Sequence, residues 1–272
     1  MARKKRKNLI DIEPPVTSKK GRGKRTKRGV VEDRWLSKED QGRVVKDKFL
    51  DKGEEIINKK PLRPLNEQQA YYIDNIKRYP YNIATGFAGT SKTYIPTRMA
   101  IEMYLRDEID KIVIVRPAVS DSKSLGFYGG DLLTKSKNWI MPVLDILEEF
   151  LGKTRVEYML IKGDIVPIPL EVIKGRSFNN SFIIVDESED LTKKEFIKCI
   201  TRLGENSKMC FCGDILQGDL KIQDGLTFGL KLADDTSLES LWGVVEFDEH
   251  EDIVRSVGVK ETIIRLTEMG EM

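Results

Sequence analysis

The segment Gly86-Phe87-Ala88-Gly89-Thr90-Ser91-Lys92-Thr93 narrows the possible folds of this chain more than any other. It follows a short strand-like run, Tyr81 to Thr85, and opens the helix-like stretch Thr93 to Arg106, with apolar Ile95, Met99, Met103 and Leu105. A glycine-rich turn between strand and helix makes consecutive N–H groups converge, and the helix aims its positive end at the same point. Gly86 and Gly89 supply the tight turn, Lys92 a charge for β- and γ-phosphates, and the Thr93 hydroxyl a ligand for magnesium. The strict pattern has glycine where Ser91 stands. A first-turn helical position accepts serine, so a working phosphate loop is expected. Taken alone, the segment also fits an ordinary glycine-containing turn.

A second element meets the first. Phe182-Ile183-Ile184-Val185 reads as a buried strand, and Asp186 and Glu187 follow at its C-terminal edge, where open α/β sheets bind ligands. Asp186 is the candidate magnesium carboxylate, and Glu187 the candidate group that orients or deprotonates an attacking water. After Met209 to Cys212 comes Gly213-Asp214-Ile215-Leu216-Gln217, which offers Gln217 as a γ-phosphate sensor and Asp214 as support for the magnesium shell. Upstream, Gln69 opens a helix and carries an amide able to pair bidentately with adenine, favouring ATP over GTP. Arg202 and Arg255 are arginines suited to stabilising charge on a γ-phosphate, or simply surface residues.

The pattern around these motifs alternates. Asn66 is placed to cap a helix over 67–77, with Ala70, Ile73 and Ile76 on one face. Lys111 to Val115 is an unbroken β-branched strand, as in a parallel sheet buried on both faces. Helices are predicted over 138–151 and 193–203, strands over 208–212 and 243–247, and Val259 to Leu266 is expected to close the sheet. This implies an α/β fold, a mainly parallel sheet flanked by helices.

Charge divides the chain. Residues 1–30 hold twelve Lys and Arg against Asp11 and Glu13, a net +10, so the whole-chain value of +2 leaves the remainder at −8. Such a segment buries too little to fold, and a basic arm on an acidic body suits a polyanion, RNA or single-stranded nucleic acid. The expected organisation is a basic arm over 1–30, a charged connector over 31–60 and one domain over 61–272. Three cysteines make no disulfide framework; Cys210 and Cys212 alternate on a strand and should share its buried face. His250 is the sole histidine, which removes His-based zinc sites and Ser-His-Asp chemistry. No run of about 18 apolar residues suggests a membrane span, and the N-terminus lacks a signal peptide's apolar stretch.

In sequence order, Asn66–Gln69 with Tyr72, Gly86–Thr93, Ile114–Val119, Leu125–Asp131, Gly175–Asn180, Ile184–Glu187, Thr201–Gly204, Gly213–Gln217 and Asp252–Arg255 resemble the PhoH-like ATPases, relatives of superfamily-one helicase motors. The resemblance runs from about Pro61 to Leu266. It implies a RecA-like P-loop NTPase fold, magnesium-dependent ATP hydrolysis, ring-shaped homo-oligomers such as hexamers, and work on RNA as a helicase. By motif position Gln69 reads adenine, Gly86 through Thr93 bind the phosphates, Gln217 senses γ-phosphate, and Arg255 acts as a finger across a subunit interface. Arg116, by likeness to helicases, is a candidate contact to a nucleic-acid backbone or a structural arginine. The roughly sixty residues ahead of the motifs, basic in net charge, carry no cluster of metal-binding acids, so a nuclease domain of the PIN type is not expected. A compact member with a basic arm looks like those of bacteria and their phages, which places it in the cytoplasm. Two further readings stand beside the motor: a slow-turnover, ATP-gated scaffold, and, less well matched, a small-molecule kinase.

Overall fold

The computed structural model describes residues 60–117, 140–214 and 225–270. The chain divides into units over 1–43 and 44–272, and every described residue belongs to the second. The arm, most of the connector, Asn138 and Gln217 lie outside the described residues.

Among the described residues, six strands form one sheet, all paired in parallel: β1 (Tyr81–Gly86), β2 (Lys111–Arg116), β3 (Ile165–Pro169), β4 (Ser181–Val185), β5 (Lys208–Cys212) and β6 (Trp242–Phe247), in the order β3-β2-β4-β5-β1-β6. Parallel neighbours need crossovers, and the helices supply them. They are α1 (Glu67–Arg78), α2 (Tyr94–Leu105), α3 (Met141–Leu151), α4 (Lys153–Lys162), α5 (Lys193–Ile200), α6 (Gly225–Ala233) and α7 (Val257–Glu268).

Alternation along the strands builds two cores. Ile112, Ile114, Phe182, Ile184, Cys210 and Cys212 face the layer that includes Tyr72, Ile95 and Leu147. Val113, Val115, Ile183, Val185, Met209 and Phe211 face Phe196, Leu191 and Leu226. Both faces being covered, Ile112 to Val115 are wholly buried, each contributing about 1.5–3 kcal/mol relative to exposure. The two strand cysteines share one buried face, as their alternation predicted.

Asn66 caps α1, its side chain accepting from the Gln69 N–H at 2.8 Å. The buried face of this helix, however, is Gln69, Tyr72, Asn75 and Ile76; Ala70 is exposed. Polar Gln69 and Asn75 face inward because acceptors await them, Thr90 O and Val244 O. The expected strand over 259–266 is instead part of α7. Only Ile263 of that helix is buried, so β-branched residues there cover a surface instead of pairing with a sheet. Conversely β3, which carries Pro167 and Pro169, was not anticipated. Proline is tolerated on an edge strand, and β3 is one.

Candidate active site

The phosphate loop joins β1 to α2 and is held at its base by β6. Gly86 has φ +113, and a Cβ there would lie 2.1 Å from the carbonyl oxygen of Phe247, so only glycine fits. The Phe87 N–H donates to that same carbonyl at 2.8 Å. From beneath, Tyr72 Oη and Cys212 Sγ donate to the Lys92 carbonyl at 3.5 and 3.2 Å. Among the described residues nothing accepts from the N–H groups of Ala88 to Lys92, which is the donor-rich turn an anion requires.

Ser91 departs from expectation. It does not occupy a first-turn helical position: α2 begins at Tyr94, and Ser91 has φ +77, in the left-handed region. Glycine suits that conformation, and serine adopts it with strain.

Lys92 folds over the loop, its Nζ donating to the carbonyls of Gly86 and Phe87 at 2.5 and 2.6 Å. Burial lowers its pKa, while Asp214 and Glu189 oppose that shift, which sets both acids near the ammonium. Thr93 Oγ1 donates to Asp186 Oδ1 at 2.7 Å. Two candidate metal ligands, from loop and acid pair, are therefore already in contact. Magnesium takes hard oxygen ligands, often one or two carboxylates completed by phosphates and water, and this hydroxyl–carboxylate pair fits that donor set. Among the described residues no group of three or more His, Cys, Asp or Glu could hold a metal ion. Burial pushes the Asp186 carboxyl above its ordinary value, opposed by the Thr93 hydroxyl.

Glu187 stands at the end of β4 with φ +51, another left-handed, non-glycine residue, and such strain clusters where a side chain must be aimed. Arg116, at the end of the adjacent β2, meets Glu187 Oε1 at 2.7 Å and Asp186 Oδ2 at 3.9 Å. Instead of standing clear as a nucleic-acid contact, Arg116 thus engages the acid pair.

Glu189 is an acid the motif reading passed over. It is buried; burial, then the Glu187 carboxyl, pushes its own carboxyl up to about 8. A Cβ on Gly213 would lie 2.5 Å from its Oε2, so the ends of β4 and β5 close over it. The signal available was the acidic run Asp186-Glu187-Ser188-Glu189-Asp190.

Gln69 lies against the loop, but its amide is engaged: Nε2 donates to Thr90 O at 3.3 Å and Oε1 accepts from Leu65 N–H at 2.9 Å. Two adjoining clefts flank this region. One, about 540 Å³, is lined by Gly89 to Tyr94, Asp145 and Arg255; the other, about 430 Å³, by Leu62, Gln69, Tyr94, Arg98 and Phe150. Arg255 lies over Gly89 of its own chain. Arg202 is taken elsewhere. Near the end of α5, which returns to the opposite edge of the sheet, it donates to the carbonyls of Lys198 and Arg176.

A glycine-rich loop after β1 and an acid pair after β4, one strand apart at the same end of a sheet whose described strands all run parallel, define the class: a P-loop NTPase domain with a RecA-like fold. A family model described as PhoH-like protein matches residues 61–268. The chain is 36% identical over 166 residues to a PhoH-like protein of Synechocystis sp., covering 61% of this chain and 49% of that protein. To Protein PhoH of Escherichia coli (strain K12) it is 33% identical over 207 residues, covering 75% of this chain and 57% of that one. To the PhoH-like protein of Bacillus subtilis (strain 168) it is 34% identical over 198 residues, covering 72% and 61%. The chain belongs to the PhoH-like family, and it spans about half to three fifths of the length of these relatives.

Proposed function

We propose that this chain binds ATP with magnesium and hydrolyses it, as a subunit of a ring-shaped homo-oligomer such as a hexamer acting on RNA or single-stranded nucleic acid. The observation that carries the reading is the 2.7 Å bond between Thr93 and Asp186, with Lys92 folded over the same loop. Gly86 through Thr93 wrap the phosphates with N–H donors, and Lys92 exchanges its loop carbonyls for phosphate oxygens. Magnesium, when bound, neutralises phosphate charge and orients the γ-phosphate; Thr93 and Asp186 hold it. Glu187 orients the attacking water and accepts its proton, and Gln217 senses the γ-phosphate. Gln69 retains one amide hydrogen and one lone pair with which to read adenine.

The nucleic-acid part rests on charge: residues 1–30 as a basic arm, 31–60 as its connector, and the domain from 61 onward. The site of work is the cytoplasm of a bacterial or phage-infected cell. Among the described residues no helix is long and apolar enough to cross a membrane.

One observation favours a second reading, the slow-turnover ATP-gated scaffold: Glu187 is held by Arg116, and a held base hydrolyses slowly. Steady-state turnover of Glu187→Gln beside wild type, with Mg·ATP affinity measured by calorimetry, separates the two. A motor loses nearly all turnover and keeps affinity; a scaffold shows negligible turnover in both. Absence of Mg·ATP binding in wild type would reject both readings.

A further inference from the structure

Two segments of the family pattern, 175–180 and 201–204, take no part in the phosphate site, and the fold joins them to each other. The Phe178 N–H donates to Arg202 O at 3.0 Å, and the Gly204 N–H returns to Phe178 O at 2.9 Å. A Cβ on Gly204 would lie 2.6 Å from that Phe178 oxygen, so only glycine lets the two segments approach. The Glu205 N–H closes the joint on Asn179 Oδ1 at 3.0 Å. Arg202 is thereby held in place, Nη1 donating to Arg176 O and Nε to Lys198 O, both at 3.2 Å. These acceptors are neutral carbonyls, which orient a guanidinium without cancelling its charge.

Four more cations share this face. Lys194 and Lys198 stand one turn apart on α5, about 6 Å along its axis, opposite the buried pair Phe196 and Cys199. Lys174 and Arg176, both exposed, come from the turn that Arg202 grips. Among the described residues none of these five cations is paired with an acid, whereas Arg78, Arg98, Arg106 and Arg265 each have a carboxylate partner. Glu195, on the same helix, gives its carboxylate to the N–H and hydroxyl of Thr192. Like charges four residues apart on a helix repel each other. Outside residues 1–30 the chain is net acidic, so a face of one positive sign is a local departure. A bound polyanion removes that repulsion.

Resting on the reading of nucleic acid as the partner, we propose that Lys174, Arg176, Lys194, Lys198 and Arg202 form a docking surface, on the folded domain itself, for the phosphate backbone of a single-stranded nucleic acid. Guanidinium forks and ammonium groups there meet phosphate oxygens, and such contacts set position and register without reading bases. The surface is distinct from the nucleotide site: none of its residues lines either cleft beside the phosphate loop.

Charge-matched variants of the full chain test this. One carries Arg176→Gln, Lys194→Gln and Lys198→Gln; the control carries Lys77→Gln, Lys111→Gln and Lys153→Gln, exposed positions on other elements. Binding of a fluorescent oligouridylate is followed by anisotropy across salt concentrations. At about 0.7 in log–log slope for each phosphate contact, the first variant is expected to lose about 2, a deficit of about 100-fold in affinity at about 0.1 M salt that closes towards about 1 M. The control should stay near wild type. Equal losses in both, or none in the first, would overturn the proposal. Melting temperature and ATP turnover without RNA should match wild type in the first variant. Should it fail to fold, Lys194→Glu alone decides: a loss of about 5-fold or more is expected, and unchanged affinity refutes the surface. Wild type that binds Mg·ATP but leaves the oligonucleotide unbound would reject the nucleic-acid reading and this surface with it, sparing the ATPase. Capture of poly-glutamate in place of RNA, lost in the first variant, would give the face to an acidic protein and overturn the assignment.

Discussion

Replacing Ser91 by glycine should stabilise the protein, although it removes a side chain and adds none. Ser91 holds φ +77, and a left-handed conformation costs an L-residue about 1–2 kcal/mol. Glycine escapes that cost but surrenders about 0.5–1 kcal/mol more chain entropy on folding. The backbone contact survives the change, since it is the Ser91 carbonyl that accepts from Ile95 N–H at 3.1 Å. Among the described residues the Ser91 hydroxyl makes no hydrogen bond whose loss would be felt. The difference leaves a net gain of about 0.5–1 kcal/mol, and in a domain of this size each kcal/mol moves Tm by about 2–4 °C. Thermal melts of Ser91→Gly and Ser91→Ala without nucleotide separate strain from everything else. Alanine keeps the Cβ and so the strain, and should melt at or slightly below wild type, whereas glycine should melt about 1–4 °C above it. If the glycine variant melted no higher than the alanine variant, left-handed strain at this position would be refuted.

Two further expectations concern charge. Glu189 keeps its proton up to about pH 8 in the folded protein but releases it near 4.5 when unfolded. Between those values the folded state binds more protons, so this group's contribution to stability is complete below 4.5 and is lost as pH rises towards 8. Glu189→Gln mimics the protonated form; its melting temperature should match wild type at pH 5 and exceed it increasingly up to pH 9, and parallel pH profiles would contradict this. Deleting residues 1–30 should weaken single-stranded RNA binding and flatten its salt dependence, by about 0.7 in log–log slope for each phosphate the arm neutralises. Binding titrations across salt concentrations read this directly, and an unchanged slope would dismiss the arm as the electrostatic contact.

How much was legible depended on whether the signal was local. Lys111 to Val115 and Phe182 to Val185 announce themselves because strands buried on both faces need unbroken apolar runs. The edge strand Ile165–Pro169 did not, because proline is acceptable only where a strand lacks a neighbour on one side, which sequence does not display. Val259 to Leu266 misled for a related reason: β-branched residues fit a sheet or a lightly buried helix, and packing alone selected α7. Gln69 was found through its place in a motif, yet its engagement with Leu65 and Thr90 depends on how α1 docks.

By itself the sequence determined the chemical inventory and its covalent order: a lysine and a hydroxyl at the end of one strand, two acids at the end of another, glycine where the chain turns hardest. These are properties of neighbours along the chain, fixed before folding. Tertiary structure decided what meets across it. It joined Thr93 to Asp186, gave Glu187 to Arg116, buried Glu189 against Gly213, and laid Arg255 over its own loop. It also set Ser91 in a left-handed conformation that no residue type reveals. The reason is physical: side chains far apart in sequence come together only when strand order and helix packing close the sheet, and a backbone angle is settled by the contacts on both sides of it.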